Sequence, residues 1–242
     1  MRRLVRVTSA AANVTERFQP ASYRRWYETP LGAQADADEK EVLFAIADLK
    51  RGERVLDLGC GDGNYTESIA DRTGAAIGVD RSSAMLRAGG IRLGNRPDVL
   101  WVRANGASLP FRQAAFDAVI SVTVLCFARE PRALLAEAFR VLRPGGRIVV
   151  GELGRYSPWA LARRVKGLFT ETVYRQAHFF TLAELAELLT GVGFRDAKLR
   201  SAVFYPPINV PAAIRCGRVI ESSGRRLAPW AGAFLVARGE RR

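Results

Sequence analysis

The stretch V-L-D-L-G-C-G-D-G-N-Y-T, residues 55–66, constrains the fold more than any other part of the chain. A short apolar run ends at Gly59, Gly61 and Gly63, and a helix-like sequence begins at Asn64. Glycine allows a sharp turn and a close approach of the backbone to another group. We therefore predict a strand, a tight loop and a helix, an arrangement that binds ligands in many α/β proteins.

Strand-like and helix-like segments alternate along most of the chain. Such alternation predicts a mainly parallel sheet with helices on both faces. A chain of 242 residues that is 48% hydrophobic can bury one substantial core. We predict helices at 36–49 and 64–72 and from Ser82, Pro131 and the capping box Thr181–Glu184, and strands at 54–58, 75–79, 99–102, 116–122, 147–151, 198–204 and 232–237.

Two insertions interrupt this alternation, at about 156–180 and 206–229. Both are too long for simple connections. Ligands of open parallel sheets bind outside the carboxyl ends of the strands, so insertions there can cover a site. We therefore assign 36–242 to one domain that carries two lid insertions.

The first 35 residues form a separate prediction. We assign 1–35 to an N-terminal arm followed by an aromatic lid segment. Tyr23, Trp26 and Tyr27 are its candidate substrate-lid residues, because aromatic side chains can supply a water-free wall. Packing in the core is the alternative role for these rings.

Charge and cysteine content limit the classes of partner. The net charge is +13, from 37 basic and 24 acidic residues, but the basic residues are mostly arginines scattered along the chain. This distribution argues against a nucleic-acid interface and leaves a peripheral contact with an anionic membrane open. Cys60, Cys126 and Cys216 lack metal-site spacing, so we expect no metal, no disulfide framework and a cytoplasmic location.

The carboxylates of the glycine loop indicate the kind of ligand. Asp57 and Asp62 flank the position that a pyrophosphate would need, and like charges at close range disfavour a dinucleotide. A ligand with an ammonium and a sulfonium group would be attracted, and S-adenosylmethionine is such a ligand. Asp80 follows the next strand, 23 residues after Asp57, where an acidic group can accept hydrogen bonds from ribose hydroxyls.

Five motifs occur in a characteristic order: VLDLGCGDGN, GVD, N-G-x-x-LPF, FDAVIS and VLRPGGRIVVGE. Together they resemble the class I S-adenosylmethionine-dependent methyltransferases of the small-molecule type, over about residues 40–152. The resemblance implies a Rossmann-like, doubly wound, seven-stranded sheet that is mostly parallel with its last strand antiparallel. It also implies cofactor contacts from Asp57, Gly59, Cys60, Gly61, Asp80, Arg81, Asn105, Gly106, Val122 and Thr123.

Two positions depart from the family pattern. Asn105 stands where the family usually has Asp, and its carbonyl oxygen can still pair with an adenine amino group. Leu125-Cys126-Phe127 stands where many relatives have a histidine after the fourth strand. A base that the family places there is therefore missing from this chain.

Methyl transfer by direct displacement needs alignment and the exclusion of water, and it needs no metal. His178, the only histidine, lies in a lid insertion and is a candidate general base. Tyr156 and Glu152, expected just past the fifth strand, are further candidates for a catalytic role. Glu152 can equally be a structural hydrogen-bond acceptor, and His178 a polar residue at a helix boundary.

We predict a methyltransferase that acts on a small, possibly lipid-soluble metabolite. A non-catalytic or nucleic-acid-directed S-adenosylmethionine-binding protein, which uses its basic surface, is the alternative. A nicotinamide oxidoreductase is disfavoured by Asp57 and Asp62. An arsenite methyltransferase would use several thiolates, but Cys60 lies inside the loop and Cys126 can pack as a small apolar residue.

Overall fold

The fold places seven strands and eight helices in alternation, in a computed structural model that describes residues 20–94, 96–209 and 211–242. The helices are α1 Pro20–Glu28, α2 Pro30–Ala47, α3 Asn64–Thr73, α4 Ser83–Leu93, α5 Pro131–Val141, α6 Pro158–Phe169, α7 Leu182–Val192 and α8 Pro211–Leu227. The strands are β1 Val55–Leu58, β2 Ala76–Asp80, β3 Val99–Arg103, β4 Phe116–Val122, β5 Leu142–Leu153, β6 Arg195–Ala202 and β7 Phe234–Glu240.

All seven strands form one sheet in the order β3-β2-β1-β4-β5-β7-β6. Strands β1 to β5 are parallel, and β7 is antiparallel to both of its neighbours, β5 and β6. Apolar clusters pack on both faces of the sheet, as expected when helices cover both sides. The predicted Rossmann-like sheet with an antiparallel last strand is confirmed.

The start of α2 differs from the prediction. Helix α2 begins at Pro30 after the N-cap Thr29, whose side-chain oxygen accepts a hydrogen bond from the Gly32 amide at 3.0 Å. Proline at the first helical position and threonine before it are favourable start signals. The predicted boundary at residue 35 therefore falls inside a helix. The arm at 1–19 and the side chains of Tyr23 and Cys216 lie outside the described part of the chain.

Both predicted insertions contain a helix, α6 in the first and α8 in the second. The Trp159 indole of α6 donates to the Tyr205 carbonyl at 2.8 Å, and the Tyr205 hydroxyl donates to Asp38 of α2 at 2.9 Å. Glu221 of α8 accepts the amides of Val203 and Phe204, each at 3.0 Å. The insertions are therefore tied to α2 and to the end of β6.

No helix within the described ranges combines the length and the apolar character needed to cross a membrane.

Candidate active site

The backbone amides of Gly59, Cys60, Gly61 and Gly63 donate hydrogen bonds to acceptors within the protein. Gly59 and Cys60 both donate to the carbonyl oxygen of Val79, at 2.7 and 3.0 Å, and Gly61 donates to the Asp80 carboxylate at 2.9 Å. Gly63 donates to the Cys60 carbonyl at 2.9 Å. A phosphate-binding loop directs such amides at its ligand. This loop does not, which strengthens the case against a pyrophosphate.

The glycines are required by the backbone and by neighbouring side chains. Gly59 has φ +78° and Gly63 has φ +82°, in the left-handed region. A Cβ atom at Gly59 would collide with Val124, and one at Gly63 would collide with Trp101. At these two glycines the space that a side chain would need is filled by the protein's own side chains, so close packing also requires glycine there.

Asp57 and Asp80 form an acidic pair at the carboxyl ends of β1 and β2. Asp57 is buried and accepts a hydrogen bond from the Thr66 hydroxyl at 2.6 Å. Burial raises the pKa of Asp57 to about 7, the Thr66 hydrogen bond opposes this, and the Asp80 charge raises it further. Asp80 also accepts the Ser82 amide at 2.7 Å. Thr66 was not predicted, although it lies one helical turn after the loop.

Asp62 is the other loop carboxylate, and arginines compensate its charge. Arg92 donates to the Asp62 carbonyl oxygen at 3.2 and 3.3 Å, and its Nε lies 3.9 Å from the Asp62 carboxylate. Burial raises the pKa of Asp62, while Arg92 and Arg24 lower it. Asp57 and Asp80 therefore form the acidic pair at the strand ends, while Arg92 compensates the Asp62 charge.

Asn105 and Gly106 occupy the turn after β3. The side-chain oxygen of Asn105, Oδ1, accepts the Ala107 amide at 3.1 Å, so the atom predicted to meet adenine already has an intramolecular partner. A Cβ atom at Gly106 would collide with Leu134 of α5, which shows that close helix packing requires this glycine. Arg81 is exposed directly after β2.

Cys60 lies inside the glycine loop and is buried. Burial raises the pKa of its thiol well above the ordinary value, so the thiol stays protonated. A Cβ atom at Gly78 would lie 2.9 Å from the Cys60 sulfur, so the side chain packs against β2. Cys60 therefore contributes to the loop as a small apolar residue.

The end of β4 is held by Glu152. The Glu152 carboxylate accepts the amides of Val124, Leu125 and Cys126 at 3.1, 2.8 and 3.1 Å. Just before them, Thr123 has φ +53° and donates its amide to the Gly151 carbonyl at 2.7 Å. The preceding Val122 pairs with Gly151 in the sheet.

The predicted location of Glu152 is wrong. The residue lies inside β5 and is fully buried, whereas we expected it past the end of the strand. Burial raises its pKa to about 7, and the three amide hydrogen bonds oppose that rise. This geometry favours the structural alternative, a hydrogen-bond acceptor that fixes the loop after β4.

Comparison with known proteins places the chain in a family. A family model described as a methyltransferase domain matches residues 56–150. A demethylmenaquinone methyltransferase of Renibacterium salmoninarum is 31% identical over 168 residues, which cover 62% of this chain and 70% of the relative. The chain belongs to the S-adenosylmethionine-dependent methyltransferases.

Two further comparisons give the extent of the similarity. An S-adenosylmethionine-dependent methyltransferase of Thermotoga maritima, described as a possible histamine N-methyltransferase, superposes with a TM-score of 0.71 at 26% identity. The alignment covers 95% of this chain and 98% of that one. An uncharacterized protein of Mycobacterium tuberculosis is 34% identical over 187 residues, 77% of this chain. The matched region spans only 62% of that relative's length.

The loop residues fit S-adenosylmethionine, the cofactor of the family. The Asp62 Oδ1 atom is buried and makes no hydrogen bond among the described residues, so this acidic region retains an unpaired acceptor. The carboxylates of Asp57 and Asp80 suit an ammonium group and ribose hydroxyls. No loop feature described above requires a phosphate.

The remaining catalytic candidates, His178 and Tyr156, do not converge. His178 Nε2 lies 3.3 Å from Arg155 Nη2 and 3.6 Å from a Glu184 carboxylate oxygen, and its amide donates to the Cys126 carbonyl at 2.8 Å. Tyr156 is exposed and its ring contacts Trp230, with the centroids 6.1 Å apart. None of these contacts of His178 and Tyr156 involves the Glu152 side chain.

The predicted aromatic lid segment contacts the first insertion. Trp26 of α1 and Trp159 of α6 pack edge to face with their ring centroids 5.5 Å apart. Tyr27 is half-buried in the same helix. Trp26 therefore packs against the other predicted lid, which is compatible with both a covering and a core role.

Sequence reasoning missed Glu39 and Arg163. Glu39 of α2 is half-buried and accepts a hydrogen bond from the Tyr65 hydroxyl at 3.3 Å, beside the first turn of α3. Burial and the Asp36 charge raise its pKa to about 8, and Arg163 acts in the opposite direction. The Arg163 guanidinium lies over the Tyr174 ring, 4.5 Å from its centroid. Glu39 and Arg163 belong to different helices, α2 and α6, so no local motif marks them.

Proposed function

We propose that the protein transfers a methyl group from S-adenosylmethionine to a small, lipid-soluble acceptor by direct displacement. The observation that carries this proposal is a group of aromatic rings, Trp26, Trp159 and Tyr174, with the Arg163 guanidinium over two of them. The demethylmenaquinone methyltransferases among its relatives support an acceptor of the quinone type.

The cofactor half of the proposal rests on Asp57 and Asp80. We assign Asp57 to the ammonium group and Asp80 to the ribose hydroxyls, with Gly59, Gly61 and Thr123 forming the backbone of the site. Arg81, Asn105, Gly106 and Val122 remain proposed neighbours. When bound, S-adenosylmethionine supplies an electrophilic methyl group on a sulfonium.

The acceptor half rests on the surroundings of Arg163 in α6. Arg163 lies over the rings of Tyr174 and Trp159, at 4.5 and 5.4 Å, and its charge acts on both Glu39 and Cys126. An apolar aromatic acceptor can stack on these rings and lie close to the cation.

Glu39 is the proposed proton acceptor. A general base works best with a pKa close to the working pH, and the pKa of Glu39 is about 8. Arg163 would stabilise the negative charge that develops on the acceptor. The two earlier candidates that lie outside the strand, His178 and Tyr156, are proposed to hold the lid.

The test uses methyl-labelled S-adenosylmethionine with a lipid extract and, separately, a water-soluble extract. We expect labelled product from the lipid extract, identified by mass spectrometry. Glu39→Gln should lower kcat by about 10²-fold, and His178→Ala by less than about threefold. Label that appears only in the water-soluble fraction would contradict the proposed acceptor class. Equal losses in the two variants would contradict the role of Glu39.

A further inference from the structure

Helix α6 has two faces of different character. Its inner face is buried through Trp159, Ala160 and Gly167. Its outer face exposes four large apolar side chains: Leu161 (64% exposed), Val165 (47%), Leu168 (79%) and Phe169 (82%). Their spacing of three and four residues aligns them in one stripe along the helix. An exposed stripe of this kind marks an interaction surface.

Basic side chains border the apolar stripe on both sides. At 100° per residue, Arg164 falls on one side of the stripe and Lys166 on the other. The Arg164 guanidinium also lies over the Phe179 ring at 5.4 Å. In the whole insertion, 156–180, four basic residues stand against the single acid Glu171. The surface is thus both apolar and positively charged.

An exposed aromatic pair lies near the start of α6. Tyr156 precedes the helix by two residues and packs edge to face on Trp230, which follows α8. Both rings are more than half exposed. Tyrosine and tryptophan favour the boundary between water and the lipid headgroups, where one part of the ring is apolar and the other polar.

We propose that the outer face of α6 docks on an anionic lipid bilayer, an inference that rests on the lipid-soluble acceptor proposed above. Leu161, Val165, Leu168 and Phe169 enter the boundary between headgroups and acyl chains, and Arg164 and Lys166 contact the anionic headgroups. An amphipathic helix with basic residues beside its apolar face binds membranes in this way.

A second copy of this chain fits the face less well. In a symmetric dimer the same surface patch meets itself. Arg164 and Lys166 would then face a second set of equal charges across the interface, which costs energy when they are desolvated. Anionic headgroups supply the opposite charge.

Docking would connect the membrane to the proposed acceptor site. Arg163, one residue before Arg164, lies on the half-buried side of α6 and stacks on Trp159 and Tyr174. One side of the helix therefore contacts the bilayer while the other contacts the region assigned to the acceptor. A lipid-soluble acceptor would have only the width of one helix to cross.

The experiment is sedimentation of the full chain with vesicles, without cofactor or acceptor. One set contains phosphatidylcholine alone, and the other contains phosphatidylcholine with phosphatidylglycerol. The test variant is the double substitution Leu168→Asp with Phe169→Asp. The control is Ile91→Asp on α4, because Ile91 is equally exposed (78%) and lies outside the insertions. Binding of S-adenosylmethionine and light scattering monitor folding and oligomeric state.

We expect the parent to bind the anionic vesicles, and high salt to weaken this binding. The double variant should bind about tenfold or more weakly, with Ile91→Asp unchanged. No binding by the parent, or equal binding by the double variant, would overturn the proposal, as would a dimer that only the double substitution dissociates. Methyl transfer is measured separately, so vesicle binding without transfer would contradict only the proposed function.

Discussion

Three carboxyl groups of this protein have pKa values well above the ordinary range for carboxylic acids. Asp57, Glu39 and Glu152 are carboxyl groups whose pKa lies between about 7 and about 8, chiefly because burial disfavours the ionised form. Their partners are the hydroxyls of Thr66 and Tyr65 and the amides after β4. These partners offset only part of the cost of burial, so all three groups titrate near neutrality.

The titration of Asp57 predicts how cofactor binding depends on pH. A cationic ligand prefers the carboxylate, so the affinity for S-adenosylmethionine should rise by up to about tenfold from about pH 6 to about pH 8. Asp57→Asn should bind weakly and lose this pH dependence. Asp80→Asn should move the rise to lower pH, because the Asp80 charge raises the pKa of Asp57. Calorimetric titration measures all three, and a pH-independent parent would contradict the assignment.

Replacement of Glu152 should lower the free energy of unfolding. Glu152→Ala leaves three amides without their acceptor, so the free energy of unfolding should fall by about 3 kcal/mol or more. Glu187→Ala, on the exposed side of α7, is the matched control and should change it by less than about 0.5 kcal/mol. Denaturant unfolding measures both. Similar values for the two variants would contradict the role of Glu152.

The same residue has a predictable pH signature. Its pKa rises from an unfolded value near 4.5 to about 7 in the fold, so the native state binds the proton more tightly. The stability that protonated Glu152 contributes should therefore be present below about pH 4.5 and be lost as the pH rises to about 7. Glu152→Gln cannot titrate and should reduce this slope. An unchanged slope would contradict the assignment.

At the scale of elements, α7 follows its local sequence closely. Thr181 and Glu184 form the predicted capping box, in which the threonine side-chain oxygen accepts the Glu184 amide and the glutamate carboxylate accepts the Thr181 amide. Thr181→Ala should lower the free energy of unfolding by about 1 kcal/mol. The control Thr190→Ala, on an exposed position of the same helix, should be nearly neutral. Equal effects in thermal unfolding would argue against the cap.

Most elements could be predicted because their signals are local. The alternation of strands and helices, the glycine loop, β4 at 116–122 and the capping box all depend on short stretches of sequence. Strand β5 was predicted to begin only at 147, because Pro144-Gly145-Gly146 are common in turns. In the structure β5 begins at Leu142, and Gly145 takes φ +76° and donates its amide to the Arg241 carbonyl. A partner almost a hundred residues away leaves no local signal.

The candidate site was predictable to a smaller extent for the same reason. Asp57 and Asp80 lie at the carboxyl ends of adjacent parallel strands, so the predicted sheet already brings them close together. The compensation of Asp62 by Arg92 requires α3 and α4 to pack in a particular way. The charge of Arg163 lowers the pKa of Glu39 although the two residues lie far apart in the sequence, on α6 and α2. The spacing of residues in the sequence does not encode these contacts.

At the scale of the whole molecule, the proposed cofactor residues and the proposed acceptor residues lie on different elements. Asp57 and Asp80 lie at the carboxyl ends of β1 and β2, while Glu39 and Arg163 belong to α2 and α6. The outer face of α6 adds the proposed contact with a bilayer. This division separates binding of the methyl donor from recognition of the acceptor, so variants of one region should leave affinity for the other ligand intact.

The central claim is that the acidic glycine loop binds S-adenosylmethionine and not a dinucleotide. Thermal unfolding with S-adenosylmethionine, S-adenosylhomocysteine or NAD tests it most directly. At about 100 times its dissociation constant, either sulfur ligand should stabilise the parent by about 2.7 kcal/mol, and Asp80→Ala should lose most of this gain at the same concentration. NAD should have no effect. Stabilisation by NAD, with none by the two sulfur ligands, would contradict the account.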